Sequence, residues 1–267
     1  MKTKTAETKL PALDPPRTLT VATYNIHKGL SQFNRRVVLN EVREGLHGTK
    51  SDVVFLQEVQ GARHRALRPA HVKSSHHLVA QHEFLCEGVF EEVVYGQNAT
   101  YEDGHHGNAV LSRFPVLDWE NIDISHHVME SRGLLHCRVA VPGWKPLHCI
   151  CVHLGLLARS RNFQLDQICR RIDDHVPHNE PLIMAGDFND WRLKASKLLQ
   201  RELGLVEAFE HIDGRPARTF PALLPMLALD RIYVRGLQVE KATCLSGAGW
   251  STLSDHVALV ATLLPLK

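Results

Sequence analysis

No C-x-x-C pair occurs among the 6 cysteines, so nothing points to a thiolate metal site. Cys86, Cys137, Cys149, Cys151, Cys169 and Cys244 read instead as core thiols, and Cys149 and Cys151 fall on one face of a strand. No run of about 18 apolar residues occurs, which excludes a spanning helix, and no apolar stretch of signal-peptide length follows Met1. With the unpaired thiol pattern, these absences lead us to expect a cytoplasmic, non-spanning protein with no obligate protein partner. Charge of one sign is also missing. Lys and Arg number 31 against 29 Asp and Glu, a net of +2, so no overall field draws the chain to nucleic acid or an anionic membrane. Aromatics are 6% of the chain and no Lys/Arg run interleaves with them, which disfavours a processive duplex-binding track. No Gly/Ser/Pro linker divides the chain, and no period of about 20 to 50 residues repeats, which excludes a repeat fold.

What is present is an ordinary globular composition: 267 residues, 44% hydrophobic and 22% charged. Residues 1–16 are polar, end in Asp14-Pro15-Pro16 and read as a flexible leader; 17–267 read as one domain. Short β-type runs recur at Leu19–Ile26, Asp52–Val59, Asn108–Ser112, Leu134–Val141, Leu147–Leu154, Leu182–Ala185, Leu229–Val234, Val239–Cys244 and His256–Leu263. Spacings of three and four predict helices over Arg35–Leu46, Arg159–Val176 and Leu193–Glu202. Strands apolar at nearly every residue, such as Val53–Leu56, need cover on both faces, so sheets lined by helices are expected. The polar stretch Ala62–His82 reads as a surface excursion.

Polar residues cluster where these runs end. Asn25, Glu58, His153, Asp187 and Asn189 each follow an apolar run, Asp230 lies within one, and Asp255-His256 opens the last. Alone, each reads as a turn or cap. As a set they supply hard oxygen ligands suited to Mg²⁺ or Mn²⁺, with two histidines for proton transfer and phosphate contact. The His105-His106 pair tempts a zinc reading, but adjacent residues on an extended chain point to opposite sides. Mg²⁺ is therefore expected, with Mn²⁺ as the alternative and Zn²⁺ disfavoured.

Seven segments, in order, carry a resemblance: Thr23-Tyr24-Asn25-Ile26, Leu56-Gln57-Glu58-Val59, Gly107–Arg113, Val152-His153-Leu154, Gly186-Asp187-Phe188-Asn189, Leu229–Ile232 and Ser254-Asp255-His256. They resemble the signature segments of the endonuclease/exonuclease/phosphatase superfamily, which includes DNase I, abasic-site endonucleases, inositol-phosphate 5-phosphatases and neutral sphingomyelinases. The resemblance implies a DNase I-like four-layer α/β sandwich, two packed mixed β-sheets flanked by helices. It implies metal ligation by Glu58, with Asn25 and Asp255 beside it. It makes His256 the catalytic histidine, held by Asp230, and sets His153 against the scissile phosphate. The resemblance implies that Asp187 and Asn189 orient the nucleophile and that Asn108 contacts a phosphate oxygen, and Arg132 is a candidate for a bidentate phosphate contact.

Arg161 and Gln164, three apart at the head of a predicted helix, resemble substrate-side residues of the sphingomyelinase and general-hydrolase branches. Together with Gly186–Arg192 and Arg215–Pro221, the pattern is most similar to the bacterial YbhP-like group. The expected activity is metal-assisted hydrolysis of a phosphodiester with His256 and Asp230 as the base pair. Nucleic acid and a lipid headgroup are alternative substrates, and Leu223–Leu227 is a candidate insertion loop for the latter. A binding module without catalysis is the remaining alternative.

Overall fold

The computed structural model describes residues 16–32, 36–61, 80–102, 104–247 and 249–266. Residues 1–15 of the expected leader, Arg35, and 62–79 of the polar excursion lie outside them.

Alternation along the strands builds the layers. In β1 (Leu19–Asn25) and β2 (Val53–Gln60), Leu19, Val21, Val53 and Phe55 face one way while Ala22, Tyr24, Val54 and Leu56 face the other, and all are buried. A strand buried on both faces must be covered on both. The outer face packs on α1 (Leu39–Gly48) and α2 (Gln81–Cys86) through Val42, Leu46, Phe84 and Leu85. The inner face packs on a second sheet. That sheet contributes Leu135 and Cys137 from β6 (Gly133–Val139), Cys149 and Cys151 from β7 (Leu147–His153), and Ile183 and Ala185 from β8 (Leu182–Asp187). Its own outer face, with Ile150, Val152 and Met184, is covered by α3 (Ala158–His175) and α4 (Lys194–Leu203).

The result is a four-layer α/β/β/α sandwich, the DNase I-like architecture. The first sheet runs β11 (Leu237–Cys244), β12 (Leu259–Pro265), β1, β2, β4 (Gly104–Ser112), β3 (Glu92–Tyr101). The second runs β5 (Val116–Asp123), β6, β7, β8, β10 (Asp230–Arg235), β9 (Val206–Glu207), with α5 (Ala208–Asp213) after β9. Both are mixed: β1 and β2 are parallel, as are β7 and β8, and the other pairings are antiparallel. The inter-sheet cysteines are packing residues, and burial pushes the Cys151 thiol up to about 12.

Three strands escape the sequence reading: β3, β5 and β9. Each lies at a sheet edge, β5 is exposed or half-buried throughout and β9 is two residues long, so none carries a sustained apolar alternation. The last strand begins at Leu259 rather than His256, because the Val257 amide donates to Thr219 O instead of entering the ladder. No helix among the described residues is long and apolar enough to cross a membrane.

Candidate active site

Register brings the polar strand ends together. His153 pairs with Asp187 across β7 and β8, and Asp187 pairs with Asp230 across β8 and β10, so the three form one row across the second sheet. Asn25 ends β1 in the facing sheet and reaches across the sandwich: its Nδ2 donates to Asp187 Oδ2 at 3.3 Å and to Glu58 Oε1 at 3.4 Å. Its oxygen accepts from His27 N at 3.1 Å, so the amide joins two carboxylates by its donor side.

Asp187 Oδ2 is the hub. His153 Nε2 lies 3.5 Å from it and His256 Nε2 3.7 Å, while His256 Nδ1 is 2.8 Å from Asp230 Oδ2. Burial pushes the Asp187 carboxyl up to about 6, against the opposing pull of His256. Burial works against a charged His256, yet the Asp230 and Asp187 carboxylates outweigh it and raise the imidazole to about 10. His153 moves the other way. Its burial, with the positive charges of Arg132 and His256 nearby, holds it well below the usual range and therefore neutral.

Backbone distortions aim several of these groups. Glu58 sits in a β-bulge between Leu56 and Val59 with φ +56, which turns its carboxylate out of the ladder and into the cleft. Lys28, also left-handed at φ +58, faces it with Nζ 3.8 Å from Glu58 Oε2. Asn189 has φ +49; its side chain donates to Leu154 O at 2.9 Å and its amide to Asp187 Oδ1 at 2.9 Å. Gly186, at φ +148, precedes the hub because a Cβ there would collide with the carbonyl oxygen of Val152.

A loop supports His256. Ser254 Oγ donates to Asn25 O at 2.7 Å and accepts from His256 N at 3.2 Å, and Thr219 Oγ1 accepts the amides of Leu229 and Asp230, both at 3.2 Å. Asp255 Oδ1 lies 3.3 Å from His27 Nδ1.

The expected substrate-side residues separate into two groups. Arg132 lines the cleft, with its Nε free of any hydrogen-bond partner. Asn108 is buried and donates to Gly133 O at 3.0 Å, linking the sheets. Arg161 and Gln164 are buried beneath the loop that follows His153 rather than along the cleft wall. Arg161 donates to Gly155 O and Leu156 O, and Gln164 accepts from Gly155 N at 2.8 Å. Arg161 also lies 4.6 Å from the Trp191 ring centroid, so it supports a residue that does line the cleft.

The model of the Endonuclease/Exonuclease/phosphatase family matches residues 22–256, from β1 to the histidine beside Asp230. The chain belongs to this family. It is 45% identical over 244 residues to the uncharacterised protein YbhP of Escherichia coli strain K12, covering 91% of this chain and 95% of that one. Among solved structures, an endonuclease/exonuclease/phosphatase from Beutenbergia cavernae superposes with a TM-score of 0.72 at 20% identity, covering 94% of this chain and 72% of that one. The human Nocturnin catalytic domain, solved with a bound sulfate anion, gives 0.73 at 17% identity, covering 95% and 97%.

Enzymes of the endonuclease/exonuclease/phosphatase family generally hydrolyse phosphate esters and depend on divalent metals, and the donors here fit such an ion. Asp187, Asp230 and His256 bring ligand atoms within 4.8 Å of one another. Asp230 and His256 are already engaged with each other, whereas among the described residues the side-chain contacts of Glu58 are longer, 3.4 Å to Asn25 Nδ2 and 3.8 Å to Lys28 Nζ. The two histidines 105 and 106 point apart, as adjacency predicts: His105 meets Tyr95 OH at 2.9 Å, while His106 stacks on Tyr101 and lines the cleft.

The cleft, about 450 Å³, also includes Trp191, Phe220 and Leu227 from segments the sequence pointed to, His106 from the pair weighed for zinc, and Lys28 and Leu156, which the sequence did not single out. Lys28 had one available signal, its place three residues beyond Asn25 at the end of an apolar strand.

Proposed function

We propose that this chain is a Mg²⁺- or Mn²⁺-dependent phosphodiesterase: water adds to phosphorus, the bond to the leaving alcohol oxygen breaks, and a phosphomonoester and an alcohol result. The observation that supports it most is the convergence of Asn25, His153 and His256 on one oxygen of Asp187, with Glu58 alongside. Glu58 would hold the metal, with Asn25 and Asp255 next to it, and the ion would supply charge neutralisation at the phosphate oxygens.

The protein's own groups divide the remaining work. Asp187, its carboxyl raised to about 6, suits the role of accepting the proton from the water that it and Asn189 orient. His256, raised to about 10, begins charged and stabilises the negative charge that develops on phosphorus oxygens. This differs from the sequence expectation of His256 as the base. The physical reason is the pair of carboxylates that keeps its proton on. Asp230 fixes the ring, and Arg132 and neutral His153 line the phosphate side of the cleft.

The test is turnover of bis-p-nitrophenyl phosphate and p-nitrophenyl phosphate with Mg²⁺, Mn²⁺, Zn²⁺ or EDTA. We expect diester hydrolysis with Mg²⁺ or Mn²⁺, lost in EDTA and in both Asp187→Ala and His256→Ala. Turnover that persists in EDTA, or that Asp187→Ala leaves intact, would overturn the reading.

A further inference from the structure

The mouth of the cleft is apolar. Leu156, Trp191 and Leu227 form part of its wall, and the loops that carry them continue into side chains with little to pack on. Leu157 is 65% exposed beside Leu156, and Leu223, Leu224 and Met226 are 58%, 67% and 59% exposed at the tip of the segment that returns to Leu227. A further turn presents Val128 and Met129, both almost fully exposed. It packs against the same region: His126 meets Phe163 of α3 at 5.1 Å, and Glu130 crowds Gly155. Most of the exposed large hydrophobic side chains among the described residues belong to these loops.

These tips stand on fixed backbone. The 220–227 hairpin is closed by Leu227 N to Phe220 O at 2.8 Å and Met226 N to Phe220 O at 2.9 Å. Its root is tied to the site by Ala222 N to Asp255 O at 2.8 Å and Val257 N to Thr219 O at 2.9 Å. A hairpin ordered at its base that holds leucines outward exposes an apolar patch larger than isolated surface residues produce.

Charge indicates what covers it. The segments 156–159, 191–194 and 221–227 contain no acidic residue, although the whole chain is nearly balanced, and the first two add exposed Arg159, Arg192 and Lys194 to their apolar tips. Aliphatic tips interleaved with cations match an anionic lipid–water interface. A single-stranded nucleic acid would be met by stacking aromatics, and Trp191 is the one aromatic in those three segments. A protein seated on all these loops would close the entrance that the substrate needs.

We propose that the cleft mouth is a docking surface for anionic lipid membranes, and that the phosphate ester reaching the site is a lipid headgroup diester. The substrate half of this rests on the phosphodiesterase reading above; the docking half does not.

The test uses the full chain with sedimented vesicles of phosphatidylcholine alone or mixed equally with phosphatidylglycerol, and with a single-stranded oligonucleotide as competitor. Binding to the mixed vesicles is expected, with a blue shift of Trp emission and about a tenfold or larger loss in partitioning for Leu224→Asp and for Leu157→Asp. Both variants should retain wild-type turnover of bis-p-nitrophenyl phosphate, and Asp187→Ala should still sediment with vesicles. Sedimentation equal for all variants, or oligonucleotide binding without vesicle binding, overturns the docking surface. Vesicle binding without cleavage of the headgroup diester on either side of phosphorus in bound lipid, in a protein active on the soluble diester, overturns the lipid substrate. Vesicle binding by a protein inactive on every diester would sink the phosphodiesterase reading instead and leave the surface standing.

Discussion

His256 is held between two carboxylates: Nδ1 lies 2.8 Å from Asp230 Oδ2 and Nε2 lies 3.7 Å from Asp187 Oδ2. The first contact fixes the ring and does most to keep it charged, and the second places that charge beside Asp187, the group proposed to take a proton from water.

That arrangement gives a pH profile with a definite sign. Activity should rise as Asp187 loses its proton near pH 6 and fall as His256 loses its own near pH 10. Asp230→Asn removes the largest influence that raises His256, so the alkaline limb should move toward neutrality while the acid limb changes less. Measuring kcat/KM against pH for both proteins checks this. Activity that keeps climbing through pH 10 would instead make His256 the base, as the sequence resemblance implies.

Lys28 Nζ lies 3.8 Å from Glu58 Oε2, so if Glu58 holds the metal as proposed, the ammonium would compete with it for the carboxylate. Lys28→Met should lower the Mg²⁺ or Mn²⁺ concentration needed for half-maximal binding, read by calorimetry. The same change should reduce kcat/KM for an anionic diester by about tenfold, because a cleft-lining cation is lost. Metal affinity unchanged by the substitution would remove Lys28 from the site.

Much of this was legible in the sequence because the chemistry sits at strand ends. Apolar runs give strands, and the polar residues that terminate them, such as Asn25, His153 and Asp187, share one edge of the sandwich because β1 runs parallel to β2 and β7 to β8, directions the resemblance implied and the runs alone did not. Edge strands β3 and β5 were illegible because a half-solvated strand needs no sustained apolar pattern. Arg161 and Gln164 show a different limit. Their spacing placed them on α3, but helix periodicity does not tell whether a polar face meets substrate or, as found, the backbone of Gly155 and Leu156. The charge state of His256 depends on carboxylates 26 and 69 residues away, and no local pattern encodes it.

Thr219 offers a test of positioning without touching the reacting groups. Its hydroxyl oxygen accepts the amides of Leu229 and Asp230, so Thr219→Val leaves two buried donors without their acceptor. A loss of about 1–3 kcal/mol in unfolding free energy is expected. Because Asp230 would shift, the alkaline limb of the pH profile should move as well, whereas Thr219→Ser should restore both. Lost stability with an unmoved profile would reduce Thr219 to a structural role.

Far from the cleft, the second sheet carries a polar chain whose proton order predicts acid sensitivity. Arg171 Nε donates to His136 Nδ1 at 3.4 Å, His136 Nε2 lies 2.9 Å from His148 Nδ1, and His148 Nε2 lies 2.7 Å from Glu180 Oε2. The guanidinium at one end and the carboxylate at the other fix both tautomers, each imidazole donating from Nε2 and accepting at Nδ1. A proton added to either ring at Nδ1 would face an existing N–H. Burial, reinforced by His148 and Arg171, pushes His136 down to about 3, and burial lowers His148 too. A depressed folded-state value means that this chain stabilises the fold above the ordinary histidine range and ceases to do so as pH falls toward 3. Urea midpoints should therefore drop between about pH 6.5 and pH 4, and His136→Asn, less stable near neutrality, should show a shallower drop. Parallel acid curves for the two proteins would mean that the buried pair does not set the acid limb.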